Sequence, residues 1–174
     1  EEVLGVRSYT LIDERNGSHI FKYVPANPYA TTGDQYFAAG QTFVLRVGDG
    51  TVKEATGSAT WVPLTNFNGA PLPGAVVVTD ANGVQSIDGR ATPKLAPFLG
   101  TACDRPEDLE MKTMGKDGRQ MLFVATTTNH KVFAIDLFDI PYPPQAVASA
   151  KKFGNGVLYM QRSMQDVGVL DSTW

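Results

Sequence analysis

The stretch that decides the fold is "TFVLRVGDGTVKEATGSATWVPL", residues 42–64. Phe43, Leu45 and Val47 recur at every second position, the period that puts side chains on one face of a β-strand. Asp49-Gly50 follows at once and supplies a turn. "ATWVPL" then returns as a partner strand, so a hairpin is expected.

The same grammar recurs along the chain. "VRSYTLIDERNGSHIFKYVP" predicts a hairpin with strands near 6–12 and 19–24 about an Asn16-Gly17 turn, a pair that accepts positive φ. "GAVVVTDANG" predicts a short strand ending in a turn. "GRATPKLAPFLG", 89–100, predicts a helical turn kept short by Pro93 and Pro97. "RPEDLEMKT", "QMLFVATTT" and "KVFAIDLF" predict a three-strand meander, with "GKDGR" and Asn129-His130 as connections. "FDIPYPPQ", 138–145, is too rich in proline for a sheet and reads as a linker. "GVLYMQRS" and "VGVLDS" predict two weak closing strands.

With 17 glycines and 11 prolines punctuating short apolar runs in 174 residues, the expected class is all-β. The size is that of one domain. Two units of three or four strands, 1–80 and 89–137, follow one another at the spacing of β-propeller blades. Residues 146–174 would be the start of a third unit or a tail. A whole propeller needs more chain than this, and two lone blades would leave sheet edges uncovered. The expectation is therefore one partial propeller domain, antiparallel blades belonging to a larger propeller or completed by another chain.

Composition narrows the function. Apolar residues make up 43% and charged residues 19%, with a formal net charge of -3. A nucleic-acid binder would show a basic stripe, and none is present. No apolar run approaches the roughly 20 residues of a membrane-spanning helix. One cysteine and two histidines cannot build a tetrahedral Cys/His zinc site, so a bound metal would need oxygen ligands.

"CDRPEDLE", 103–110, is the densest charge cluster. If it is extended, Arg105 and Glu107 share a face, and Pro106 drives Arg105 toward an extended conformation. Arginine grips phosphate or carboxylate with a planar fork, and glutamate offers hard oxygens to a cation. The plain alternative is an ion pair at a strand start, with Asp104 and Asp108 facing water.

Other residues have ordinary explanations. His19 and His130 read as surface turn histidines. Trp61, Phe21, Tyr23, Phe43, Phe123 and Phe133 alternate within strands and read as core. Ser163 and Thr127 lack the setting of an activated nucleophile. Asp49 and Glu54 lie in "GDGTVKEATG", which is not an EF-hand loop.

"FLGTACDRPEDLE" resembles a segment of the PhoX-type calcium-dependent alkaline phosphatases that reads Leu-Gly-Ala-Thr, a spacer, then Asp-Arg-Pro-Glu. "YTLIDERNGSHIFKYVP", "TFVLRV…ATWVPL" and "MLFVATTTNHKVFAIDL" are similar to that family's flanking strands, in the same order, from about residue 6 to residue 137. The resemblance implies a six-bladed propeller that hydrolyses phosphate esters with iron and calcium in its central channel. It implies that Arg105 binds the substrate phosphate and Glu107 a metal, and that the protein is exported, to a periplasm, the exterior or an organelle lumen. The family's earlier metal ligands have no counterpart before residue 6, and its iron-binding cysteine lies in an earlier blade. Cys103 matches no family ligand and reads as a small buried apolar residue. Asp166 and Asp171 read as turn residues. Two functions stay open: part of a metal-dependent phosphatase, or a non-catalytic structural or extrinsic subunit with protein partners in a larger assembly.

Overall fold

The computed structural model describes residues 2–3, 6–27, 29–114, 119–136 and 160–169. The first half carries β1 (Glu2–Val3), β2 (Val6–Arg7), β3 (Tyr9–Ile12), β4 (Asn16–Ser18), β5 (Ile20–Pro25), β6 (Gly40–Val47) and β7 (Gly57–Pro63). The second carries β8 (Val77–Thr79), β9 (Gln85–Ile87), β10 (Cys103–Asp104), β11 (Pro106–Met114), β12 (Arg119–Thr126), β13 (Lys131–Asp136) and β14 (Met160–Val169). A short helix α1 (Gly33–Phe37), unforeseen in the sequence, starts where the Thr32 side chain accepts the Gln35 N–H at 3.4 Å. The helical turn expected in 89–100 is a single 3-10 turn, Thr92–Lys94.

The all-β class is as expected, and every named strand pair is antiparallel. Separate blades are not what the described residues form. One eight-stranded sheet runs in the order β11-β12-β13-β14-β7-β6-β5-β3. Two antiparallel meanders thus meet where β14 pairs with β7, Met160 opposite Trp61 and Met164 opposite Gly57. The sheet is open, with β11 and β3 at its edges. The two expected closing strands are one ten-residue strand, β14. The "GKDGR" connection and the 138–145 linker lie outside the described residues.

Strand register decides what is buried. Leu45 lies opposite Trp61 and Val47 opposite Ala59. Leu122 lies opposite Ile135 and Val124 opposite Phe133. Side chains in register share a face, so these residues form one apolar surface across both meanders. They belong to a single core cluster with Ile20, Val24 and Cys103. Trp61, Phe43, Phe133 and Ile135 are fully enclosed there. Phe21, Tyr23 and Phe123 point to the other face and are only half-buried.

The hairpin β6–β7 is also buried on its second face. Val44, Val62 and Leu64 pack with Phe98, and Phe21, Leu72, Ala75 and Ile87 border them. Phe98 comes from the connection between β9 and β10. Arg46 pins that connection by donating to the carbonyls of Leu99 and Pro97, both at 2.5 Å. Gly100 allows the close approach, because a Cβ there would lie 2.5 Å from Val44 Cγ2.

Phe43 is central to the larger cluster, so Phe43→Ala is expected to cost about 3–5 kcal/mol of stability, read from the denaturant midpoint.

Candidate functional site

The charge cluster at 103–110 sits where three segments converge. The β3–β5 connection contributes β4, which pairs with β10, Ser18 opposite Cys103 and Asn16 opposite Asp104. The β6–β7 loop contributes Lys53 and Glu54, and the β12–β13 turn contributes Thr127 to His130. The Asn16-Gly17 turn is therefore also a strand partner.

Glu54 ties these segments together. Its side chain is 7% exposed. One oxygen accepts the Asp104 N–H at 3.0 Å; the other accepts from Asn129 Nδ2 and lies 3.8 Å from Lys131 Nζ. Thr126 Oγ1 donates to Asn129 Oδ1 at 2.7 Å and so orients the amide. Glu54 itself has φ 52, an uncommon value for a non-glycine residue. Its N–H, donating to the Ala102 carbonyl at 2.9 Å, helps hold that conformation. Composition and spacing gave no signal for this role; its carboxylate is buried only because distant turns surround it.

Asp104, expected to face water, is largely buried. It pairs with Lys53 and accepts the Gly17 N–H at 3.3 Å. The Lys53 ammonium is correspondingly held above its ordinary range, by the hydrogen bond to Asp104 first. Thr128 Oγ1 donates to Asn16 Oδ1 at 2.7 Å, closing the junction.

Arg105 and Glu107 do meet, but not by strand alternation. Arg105 has φ 49 rather than an extended backbone. Its N–H donates to the Arg15 carbonyl at 3.0 Å and its carbonyl accepts the Thr127 N–H at 3.1 Å. Those two tertiary bonds override the extended preference that Pro106 imposes. A register shift between Pro106 and Asp108 leaves Glu107 at a bulge. The outcome is an ion pair, Arg105 Nη2 to Glu107 Oε1 at 2.5 Å, with the arginine half-exposed.

Beside this junction lies a cleft of about 200 Å³ whose walls include Asp13, Arg15, His19, Phe21, Arg90 and Lys94. Arg105 and Glu107 are not among its lining residues. Arg90 grips Asp13 with two bonds, Nε to Oδ2 at 2.9 Å and Nη2 to Oδ1 at 3.4 Å. His19, expected on the surface, is 4% exposed. Burial and then the Lys94 charge push its pKa down to about 4. His130 is exposed at a turn, as expected. Cys103 is buried in the core, and burial pushes its thiol up to about 12, so it stays protonated and unreactive.

Among the described residues, no group of three or more His, Cys, Asp or Glu side chains is arranged to hold a metal ion. Glu107 is one hard-oxygen donor occupied by Arg105. By themselves the described residues do not fit calcium or iron, which take several oxygen donors or a mixed set.

Removing the Glu54 carboxylate takes away the acceptor of both Asn129 Nδ2 and the Asp104 N–H. Glu54→Ala is expected to lower stability by about 3 kcal/mol, measured by denaturant unfolding. His19 sets a pH dependence. Its folded pKa lies below the ordinary 6.5, so folding favours the neutral ring. The stability it contributes is intact above pH 6.5 and is lost as pH falls toward 4. Unfolding midpoints measured across that window should fall less steeply in His19→Gln.

No curated protein and no solved structure gives a significant match to the chain. The family model described as alkaline phosphatase PhoX matches residues 6–174, continuing past residue 137, where the sequence motifs fade. With that match spanning nearly its whole length, the chain belongs to the PhoX alkaline phosphatase family.

Proposed function

We propose that this chain is part of a metal-dependent phosphatase hydrolysing phosphate esters, with Arg105 on the substrate phosphate and Glu107 on a calcium or iron ion. What carries the reading is the pairing of this guanidinium and carboxylate at 2.5 Å, on strained backbone, in a member of an alkaline phosphatase family. Non-glycine residues with positive φ persist where surrounding structure enforces them, and they cluster at functional sites.

Arg105 is suited to the role. A phosphate displacing Glu107 from the guanidinium gains a two-pronged, charge-assisted contact. Glu107, released, presents two oxygens to a hard cation. A bound metal would stabilise negative charge on the reacting oxygens. The remaining ligands come from outside the described residues. In this proposal the two units, 1–80 and 89–137, though joined here in one sheet, belong to a larger β-propeller, and 146–174 is the start of a third unit or a tail. The protein works outside the cytoplasm.

A second reading has its own support. Arg105 and Glu107 neutralise each other, and the Arg105 backbone is committed to Arg15 and Thr127. Those are the features of a scaffold joint in a non-catalytic subunit that binds protein partners.

Metal analysis of the full-length protein, with hydrolysis of a chromogenic phosphate ester, decides between them. The phosphatase reading expects bound metal, less of it in Glu107→Gln, and a drop of about 10²–10³ in kcat/KM for Arg105→Ala. A metal-free, inactive full-length protein would leave the scaffold reading standing.

A further inference from the structure

The structure assigns a second, separate anion site to the cleft between the β3–β5 connection and the 89–94 segment. This goes beyond the proposed phosphatase role and does not depend on it, since Arg105 and Glu107 do not line the cleft. The ligand class is a small, doubly charged oxyanion, a phosphate group in particular.

The charge count points there first. Arg15, Arg90 and Lys94 face one cleft that holds a single carboxylate, Asp13. Asp13 is engaged by Arg90 on both oxygens and lies 3.9 Å from Arg15 Nε, beyond a hydrogen bond. Among the described residues Lys94 makes no ion pair, and it is exposed. The walls of the cleft therefore carry two positive charges in excess, a surplus that the nearby Asp88 carboxylate, which acts on Arg90 and Lys94, reduces, in a chain whose net charge is -3. Like charges gathered in a concavity repel unless an anion sits between them, and a cleft focuses their field.

The wall chemistry agrees. His19 and Phe21 form one side, with ring centroids 6.2 Å apart. His19 is buried, and burial first and then the Lys94 charge keep its ring neutral. Asp13 fixes the Arg90 fork in place, so little side-chain freedom is lost when a ligand arrives. Lys94 and Arg15 are left to make charge-assisted contacts with the oxyanion.

The test is a titration of the isotope-labelled full-length protein with inorganic phosphate at low ionic strength, followed by amide shifts. Saturable shifts are expected at His19, Phe21, Gly89 and Arg90, with acetate binding more weakly than phosphate. Lys94→Gln should raise the Kd by roughly tenfold, while Lys112→Gln on exposed β11 should not. Lys94 is exposed, so this variant should fold, and its thermal unfolding is the control. Absence of saturable shifts, or equal effects of the two lysine variants, would overturn the assignment. So would shifts centred on Arg105 and Thr127, which would locate the anion at the proposed phosphatase site instead.

Discussion

The Glu54 carboxylate holds together elements that the chain keeps far apart. It is buried, and it accepts from the Asp104 backbone and from Asn129 while lying near Lys131. Take it away and β10, the β6–β7 loop and the β12–β13 turn lose their common partner. A buried charge is tolerated only when its lone pairs are satisfied. Here that requirement runs the other way as well: three turns must arrive in register for the carboxylate to be satisfied at all. The junction is thereby specified, whatever its net contribution to stability.

The apolar core places that junction. Phe43, Leu45, Trp61, Val124, Phe133 and Ile135 lie on one face of a single sheet, because strand register aligns them through β14. The second cluster, around Val44 and Phe98, clamps the β9–β10 connection over the opposite face of β6–β7. The cleft forms where that clamped connection passes the β3–β5 hairpin. Its cations are thus set by how the connection packs, rather than by proximity in sequence.

Arg105 shows how local preference and tertiary demand conflict. Proline after it favours extension, and alternation would then bring Glu107 to the same face. The backbone adopts φ 49 instead, because Arg15 and Thr127 bond to it from either side. The two side chains still meet, through a left-handed residue followed by a bulge. The residue pair was legible in the sequence; the geometry that joins it was not. His19, Asp104 and Glu54 were misjudged or passed over for a related reason. Each sits in a turn-like sequence that ordinarily faces water, and each is enclosed by segments from elsewhere in the chain.

Strand identity, the β6–β7 hairpin, the short 3-10 turn and the meander 106–136 follow from two-residue periodicity and turn chemistry, which act over a few neighbouring residues. Family membership is likewise carried by ordered local motifs. The joining of two meanders into one open sheet is another matter: it depends on β14 pairing with both β13 and β7. The polar junction and the cationic cleft depend on contacts between residues up to 112 positions apart. Such contacts leave no local pattern, because their energy comes from desolvation and hydrogen-bond satisfaction in the assembled fold, which only the tertiary structure provides.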